Sequence, residues 1–343
     1  MSSIQPSKPA LTYDDINLVP GYSEIESRSQ ISLTTQLTTN YSIRVPLVAS
    51  PMDTVCDSEM AITMMELGGV GCVHRFMTIH EQAAQVNKVH LHTYRYQTAV
   101  PVMAAIGANG DFLERAQELV LNGANVILID VAHGYHKFVK EALSKLKNTL
   151  PTHIDVVAGN IATADAAVAL QDWGADALRV GIGGGSLCTT RIKTGFGVPN
   201  VTSIGDVASV ATVPVIACGG IRNSGDIAKA LAFGANSVIL GSLLAGTKEA
   251  PGAIIEKSNG LYKRYRGAAS LETKSVHGQS TRNVEGESTV VPFKGGAKFI
   301  VEGLLDGVRS ALSYAGADTI QSFNPSYVVV TNAGVVEARP HLL

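Results

Sequence analysis

The feature that most constrains the fold is a unit that recurs eight times between about residue 45 and residue 240. Each unit has a short apolar run, a glycine-rich or polar loop, and a segment with helical periodicity. Runs that are apolar throughout suit strands buried on both faces of a parallel sheet. The series predicts a closed (β/α)8 barrel, with a doubly wound open sheet as the less favoured solution. The predicted strands are Pro46–Ser50, Val70–His74, Pro101–Gly107, Val126–Val131, Ile154–Gly159, Ala177–Ile182, Pro214–Cys218 and Ser237–Leu240.

Glycine–alanine pairs mark the ends of three predicted helices. Gly123, Gly174 and Gly234 each follow a segment with helical period and precede the next strand. Glycine is favoured just after a helix because it adopts a left-handed backbone without a Cβ clash. We therefore predict that these helices end there.

Composition narrows the class of partner. Of the 343 residues, 45% are apolar and only 16% are charged, so the chain can bury a large core and is not a disordered polypeptide. The 27 Lys and Arg residues nearly balance the 29 Asp and Glu residues, for a net charge of -2. A chain with this balance has no excess of positive charge that would attract nucleic acid or an anionic membrane. We expect a small-molecule partner.

The spacing of the cysteines and the N-terminal sequence indicate the cellular compartment of the protein. Cys56, Cys72, Cys188 and Cys218 show no CxxC or Cys/His ligand spacing, which argues against a zinc site or a disulfide framework. The N-terminus has no apolar signal region, and no run of 18 uncharged apolar residues occurs. We expect a cytoplasmic protein in a reducing compartment.

Two stretches break the repeat. Residues 1–44 read as an extended leader, and residues 265–296 form a polar segment without useful helical or strand period. A long irregular loop in a compact domain is usually a lid or binding loop. We predict one barrel domain over residues 1–343 with a mobile catalytic flap at 265–296, and a disordered insertion is the alternative.

Chemistry in such a barrel lies where strands end. The sixth predicted strand leads into GIGGGSLCTTR at 181–191, where Cys188 lies on a tight turn among residues that argue against burial. We read Cys188 as a candidate nucleophile, with a small buried filler as the alternative. The glycine string lacks the βαβ context of a dinucleotide fingerprint, so we reject a Rossmann fold.

Glycines also follow the seventh and eighth predicted strands. In (β/α)8 barrels these two loops frequently hold a phosphate. Ser186, Gly219, Gly220, Gly241 and Ser242 therefore form a predicted phosphate cradle. The alternative is that the glycines only serve tight turns.

Six motifs in order resemble the IMP dehydrogenase and GMP reductase superfamily over nearly the whole chain. They are LTYDDINLVP, SPMDTV, AGN at 158–160, GIGGGSLCTTR, GGIRNSGDIAKAL and GSLLAGT. The resemblance implies a purine nucleotide substrate, a nicotinamide cofactor and a cysteine nucleophile. IMP dehydrogenases usually carry CBS modules after the second barrel strand. Residues Thr78–Thr98 run straight on, so we expect no CBS module.

The flap sequence indicates which of the two enzymes of this superfamily the chain resembles. IMP dehydrogenases use an Arg-Tyr pair there to activate water, and none follows YRGAASLETK. The stretch YRGAASLETKSVHGQSTRNVEG is similar to the shorter flap of bacterial GMP reductases, as are VHRF, IDVAHG, KTGFG and SRS elsewhere. The favoured interpretation is an NADPH-dependent GMP reductase that converts GMP to IMP and ammonia. The alternatives are an IMP dehydrogenase that uses NAD to make XMP, and a catalytically silent purine-nucleotide-binding protein.

The resemblance also implies roles for individual residues. The Cys188 thiolate would attack C2 of the purine, and Thr190 with Glu285 would supply the general acid that protonates the leaving amine. Tyr265 matches a phosphate contact. The other implied substrate contacts are Ser50, Met52, Cys218, Ala268, Ala269, Arg282 and Gly286.

Cofactor contacts follow in the same way. Asp130 and Asn160 match residues near the nicotinamide, whereas Ser27 and Arg28 match a segment that contacts the dinucleotide from another subunit. NADH stays open beside NADPH. The family's tetramers make a homotetramer the expected assembly.

Two features of the sequence depart from the reductase pattern, the C-terminal tail and one residue near the predicted sugar site. The tail VTNAGVVEARPHLL resembles that of IMP dehydrogenases, in which a Glu and the next two residues help bind potassium from a neighbouring subunit. Here these are Glu337, Ala338 and Arg339, and the carbonyls on the other side would be those of Gly183, Gly185 and Cys188.

The second departure concerns the sugar. Cys218 stands where the family has the Asp of a DGG motif that grips the ribose hydroxyls. A thiol tolerates a CH₂, so we predict weak discrimination against dGMP. A carboxylate from a neighbouring residue, or a ribose that is held less tightly, is the alternative.

Overall fold

A computed structural model describes residues 9–96, 100–276 and 282–337 of the chain. Its strands are β1 (Ile16–Leu18), β2 (Thr35–Gln36), β3 (Ser42–Ile43), β4 (Leu47–Ala49), β5 (Val70–Val73), β6 (Met103–Ile106), β7 (Val126–Asp130), β8 (Asp155–Ile161), β9 (Ala177–Val180), β10 (Val215–Cys218), β11 (Ser237–Leu240), β12 (Ile255–Lys257), β13 (Gly260–Arg266), β14 (Ser288–Pro292) and β15 (Tyr327–Val329). Its helices are α1 (Ser58–Glu66), α2 (Ile79–Tyr96), α3 (Phe112–Leu121), α4 (Lys137–Thr149), α5 (Ala164–Asp172), α6 (Thr190–Thr194), α7 (Asn200–Ala208), α8 (Ser224–Ala232), α9 (Leu271–Val276), α10 (Ala297–Tyr314) and α11 (Asn332–Glu337).

The predicted barrel is confirmed. Strands β4 to β11 form a closed parallel barrel in chain order, and β11 pairs with β4 through Leu240 and Ala49. Each barrel strand overlaps its predicted run, and nearly all strand residues are buried. The apolar runs thus form strands that are covered by side chains inside and by helices outside.

The predicted helix ends are also confirmed. Helices α3, α5 and α8 end two residues before Gly123, Gly174 and Gly234, whose φ angles are +100°, +98° and +98°. A side chain would be strained in this left-handed conformation, so glycine ends each helix and directs the chain into the next strand.

The leader packs against the barrel. Strand β1 pairs antiparallel with β15, and Tyr13 and Ile16 are buried in the core. The amide of Leu11 donates to Thr202 Oγ1 at 2.7 Å, and the Arg222 guanidinium pairs with Asp14 at 2.6 Å. These contacts fix the leader next to α7 and to the loop that follows β10.

The expectation that residues 265–296 lack regular structure is wrong. Strands β12, β13 and β14 form an antiparallel sheet, with Tyr265 opposite Thr289, and α9 lies between β13 and β14. Elements of five or six residues are too short to show a period, and β14 is largely exposed, so it has no apolar face. Residues 277–281 of the predicted flap lie outside the described residues. The flap's mobility stays a prediction.

In the three described ranges, no helix has both the length and the apolar character required to cross a membrane.

Candidate active site

The carboxyl ends of the barrel strands surround a cavity of about 410 Å³. Loops after β4, β9, β10 and β11 form its wall, and the flap covers one side. The structure brings nearly all predicted site residues to this cavity. They are Ser50, Met52, Asp130, Asn160, Gly183, Gly185, Ser186, Cys188, Thr190, Cys218, Gly219, Gly220, Gly241, Ser242, Tyr265, Ala268, Ala269, Glu285 and Gly286.

A chain of hydrogen bonds runs from the predicted nucleophile to the flap. The half-buried Cys188 thiol donates to Thr190 Oγ1 at 3.2 Å, and Thr190 Oγ1 donates to Glu285 Oε2 at 2.8 Å. Thr190 is buried at the first turn of α6, which fixes its hydroxyl between the other two groups. This geometry can move a proton between the sulfur and the carboxylate.

The flap backbone joins the nucleophile loop directly. The amide of Thr189 donates to the Glu285 carbonyl at 3.0 Å, and the amide of Glu287 donates to the Leu187 carbonyl at 2.9 Å. Cys188 and Gly286 form an antiparallel bridge between these bonds. The pairing places the Glu285 side chain beside Thr190 although 95 residues separate them.

An ion pair holds the start of the flap over the loop after β4. Arg266 Nη2 lies 2.7 Å from Asp53 Oδ2, and the Arg266 amide donates to Thr54 Oγ1 at 3.0 Å. Asp53 follows Met52 directly, so this pair positions β13 over the substrate contacts predicted at Ser50 and Met52.

The predicted phosphate cradle is assembled from four parts of the chain. Ser186 Oγ and Tyr265 Oη share a hydrogen bond of 3.1 Å. A Cβ added to Gly241 would lie 3.3 Å from the same Tyr265 oxygen. Burial raises the pKa of Tyr265, so its hydroxyl keeps its proton and can donate to an anion.

Asn200, which the sequence analysis missed, supports two cradle loops at once. Its side chain is buried at the start of α7, and Nδ2 donates to the Gly219 carbonyl. A Cβ on Gly184 would lie 2.6 Å from Asn200 Oδ1, and one on Gly220 would lie 2.7 Å from Nδ2. Both positions therefore require glycine so that the loops after β9 and β10 can close around this amide.

A charged cluster in this cavity contains two arginines that the sequence analysis did not assign to the site. Arg179 in β9 has a side chain only 8% exposed, and it pairs with Asp130 at the end of β7. Arg75 Nε lies 3.8 Å from the same carboxylate, and Arg179 Nε donates to Cys218 Sγ at 3.3 Å. Asp130 and the Cys218 sulfur therefore both face a guanidinium. A lone Arg within an apolar strand was the signal available, since a buried charge needs a partner.

A second cavity of about 590 Å³ adjoins the first and shares Arg75 and Phe76 with it. Its other lining includes Asn109, Asp111 and the buried Arg115. Arg75 and Phe76 thus lie between the cavity that holds Cys188 and Asp130 and the one at the loop after β6. Asn160, which lines the first cavity, donates from Nδ2 to the Gly181 carbonyl at 2.7 Å.

Four predicted residues do not line the first cavity, which holds Cys188. Ser27 and Arg28 are exposed in the leader, and Glu337 is exposed at the end of α11. Arg282 is exposed on the flap, where its carbonyl accepts from Lys274 Nζ at 2.6 Å. Their predicted contacts stay predictions, and Ala338 and Arg339 lie outside the described residues.

The described part of the chain holds no cluster of three His, Cys, Asp or Glu side chains suited to a metal ion. The predicted potassium site would use backbone carbonyls instead. Of these, the Gly185 carbonyl accepts from the Cys188 amide at 3.0 Å, which leaves one lone pair for a cation.

Comparison with known proteins agrees with the motifs. A family profile described as IMP dehydrogenase / GMP reductase domain matches residues 10–341. The chain is 34% identical to an inosine-5'-monophosphate dehydrogenase of Nitrosopumilus maritimus, with 97% of this chain and 98% of the relative covered. It is 38% identical to an inosine-5'-monophosphate dehydrogenase of Cryptosporidium parvum, with 96% and 94% covered. It is 31% identical to a GMP reductase of Leishmania major, with 96% of each covered.

This family consists of oxidoreductases that bind purine nucleotides and use nicotinamide cofactors. The matched segment includes all residues of the hydrogen-bonded chain and the cradle. The protein belongs to the IMP dehydrogenase and GMP reductase family.

Proposed function

We propose that this enzyme is an NADPH-dependent GMP reductase that converts GMP to IMP and ammonia. The observation that carries the proposal is the hydrogen-bonded chain Cys188–Thr190–Glu285, which joins a nucleophile to a flap carboxylate beside a phosphate cradle. The reductase-like flap, which lacks the Arg-Tyr pair expected of a dehydrogenase, gives the direction of the reaction.

In this proposal GMP binds with its phosphate in the cradle and C2 of the purine beside Cys188. The sulfur attacks C2 as its proton passes through Thr190 to Glu285. The same proton then returns to the exocyclic nitrogen, the C2–N bond breaks, and ammonia leaves behind a thioimidate on Cys188. Addition of hydride to C2 and cleavage of the C2–S bond release IMP and restore the thiolate.

Bound NADPH would supply that hydride. The described residues would suit a dinucleotide because a second cavity adjoins the first at Arg75 and Phe76 and offers space for the rest of the cofactor. Asp130 and Asn160 line the first cavity, where the nicotinamide would meet C2. The preference for NADPH over NADH rests on the reductase-like flap strings.

IMP dehydrogenase activity is the second candidate. Two of the relatives named above are inosine-5'-monophosphate dehydrogenases, and the cysteine chain also suits attack on C2 of IMP. The test is to mix the enzyme with GMP and NADPH, or with IMP and NAD, and follow nicotinamide absorbance. Loss of absorbance only in the first mixture supports the reductase. Steady formation of reduced cofactor with XMP as product in the second would overturn it. If neither mixture reacts and nucleotide fails to protect Cys188 from alkylation, the silent binding protein is favoured.

We further propose that the enzyme accepts dGMP. The sugar of a nucleotide that spans the cradle and Cys188 would pass Cys218, at the end of β10. Among the described cavity residues, the carboxylates are those of Asp130 and Glu285, and both already have partners, Arg179 and Thr190. The end of β10 itself offers the sugar a thiol at the position where the resemblance implies a carboxylate.

The sugar proposal is tested by kcat/KM for GMP and dGMP with the parent enzyme, Cys218→Asp and Cys218→Ser. A carboxylate that accepts a ribose hydroxyl contributes about 1.5–3 kcal/mol, so Cys218→Asp should shift the ratio towards GMP by about 10- to 100-fold. The serine variant adds a hydroxyl without charge and should shift it less. A parent enzyme that prefers GMP by about 100-fold or more, or an unchanged ratio in Cys218→Asp, would contradict the proposal.

Activation by potassium, a homotetramer and a cytoplasmic location complete the proposal. Replacing potassium by sodium in the assay should lower turnover if the carbonyls of Gly183, Gly185 and Cys188 hold a cation with Glu337 of a neighbouring subunit. Light scattering would give the assembly.

A further inference from the structure

The phosphate cradle is built from uncharged groups. Its members are backbone amides, serine hydroxyls and the Tyr265 hydroxyl, whereas a nucleoside monophosphate carries up to two negative charges. The described cations that line the cavity are engaged elsewhere. Arg75 and Arg179 face Asp130, and Lys274 donates to the carbonyls of Arg282 and Asn283.

A lysine lies directly behind one member of the cradle. Lys294, two residues after β14, donates from Nζ to the Ser242 carbonyl at 2.6 Å and to the Leu243 carbonyl at 3.2 Å. Ser242 lines the cavity, and Lys294 does not. The ammonium therefore acts on the cradle through one residue and without touching its ligand.

Lys294 is an exposed residue, and no carboxylate of the described residues pairs with its ammonium. Burial of part of the side chain lowers its pKa. A dianion bound one residue away would bring an opposite charge close to this ammonium.

We propose that Lys294 is a positioning residue for the phosphate. Its ammonium presents Ser242 and supplies the positive charge that the cradle itself lacks. The inference rests on the proposed placement of the phosphate and holds for either direction of the reaction. The residue would also link the flap sheet to the nucleotide, because Lys294 follows β14 while Tyr265 belongs to β13.

Lys263 offers a comparison within the same sheet. It is buried on β13, and its Nζ donates to the carbonyls of Thr247, Lys248 and Ala250, farther along the loop that begins at Gly241. It thus ties the same loop to the same sheet, away from Ser242. If Lys294 only anchors the loop, substitutions at the two lysines should have the same effects on ligands.

Calorimetry with GMP, IMP and the phosphate-free nucleosides guanosine and inosine tests the proposal. We expect Lys294→Met to weaken both nucleotides about tenfold and both nucleosides less than twofold. Lys294→Arg should restore nucleotide affinity. Lys298→Met, which removes an exposed lysine in the first turn of α10, is the charge-matched control and should leave all four affinities unchanged.

The comparison at Lys263 and a second variant keep the test decisive. Lys263→Met should change nucleotide and nucleoside affinities by the same factor. If circular dichroism shows that Lys294→Met does not fold, Lys294→Gln takes its place. Equal losses for nucleotides and nucleosides at Lys294, or no loss for nucleotides, would overturn the proposal. Failure of the parent enzyme to bind any nucleotide would instead overturn the proposed function.

Discussion

Replacing Glu285 with glutamine removes the charge at the end of the Cys188–Thr190–Glu285 chain while it keeps the shape of the side chain. Glutamine still offers an oxygen to Thr190 Oγ1, which lies 2.8 Å from Glu285 Oε2. It cannot take the thiol proton or return it to the leaving amine. General acid–base catalysis is typically worth ~10²–10⁴-fold, or about 2.7–5.5 kcal/mol in the barrier. We expect a loss of that size in GMP deamination.

Hydride transfer can be measured without deamination if the reaction is run in reverse, from IMP. In the proposed reaction, IMP and NADP⁺ should form the same thioimidate by loss of hydride from C2, without any ammonia. Stopped-flow absorbance of the reduced nicotinamide then reports thiol attack and hydride transfer together. We expect Glu285→Gln to slow this reaction less than it slows deamination, because the thiol must still lose its proton but no amine must be protonated.

Glu287→Gln is the matched control. Glu287 lies two residues further along the flap, its side chain is exposed, and it does not line the cavity. The two rates in this variant should stay close to those of the parent. If Glu285→Gln slows deamination and hydride transfer equally, or slows deamination less than tenfold, the role assigned to the carboxylate is wrong.

Two further variants test the nucleophile and the cradle. Cys188→Ala should lower turnover by several orders of magnitude while calorimetry still detects nucleotide binding, and an alanine variant that keeps most activity would refute covalent catalysis. Asn200→Ala removes a buried hydrogen bond to Gly219 and should cost about 1–3 kcal/mol in unfolding free energy measured with urea. It should also raise KM for the nucleotide more than it lowers kcat, and unchanged stability and KM would contradict the support assigned to Asn200.

The barrel could be predicted because its information is local. Runs such as Ser237–Leu240 are apolar throughout, and the predicted bounds of that strand match those of β11. A residue buried on either face of a parallel strand must be apolar, so the run itself encodes the element. The helix ends at Gly123, Gly174 and Gly234 were predictable for the same reason, since the backbone conformation depends on the glycine alone.

The flap resists such prediction because its order comes from distant partners. Strand β14 is largely exposed and is defined by its pairing with β13, where Tyr265 lies opposite Thr289. The two lysines that tie this sheet to the barrel reach backbone carbonyls, which have no sequence signature. Periodicity reports an element's own faces, and these short elements have none to report.

Arg179 shows how a missed residue can alter the interpretation of a predicted one. The run Ala177–Ile182 predicts a strand, and the strand pattern alone does not indicate which carboxylate balances the charge of Arg179. Its partner Asp130 is 49 residues away, at the end of β7. Once the barrel closes, Arg179 also reaches Cys218, so the thiol at the position where the resemblance implies a carboxylate faces a guanidinium already paired with Asp130. A carboxylate at position 218 would meet the same cation, which is why Cys218→Asp is expected to be held in place and to restore a ribose acceptor.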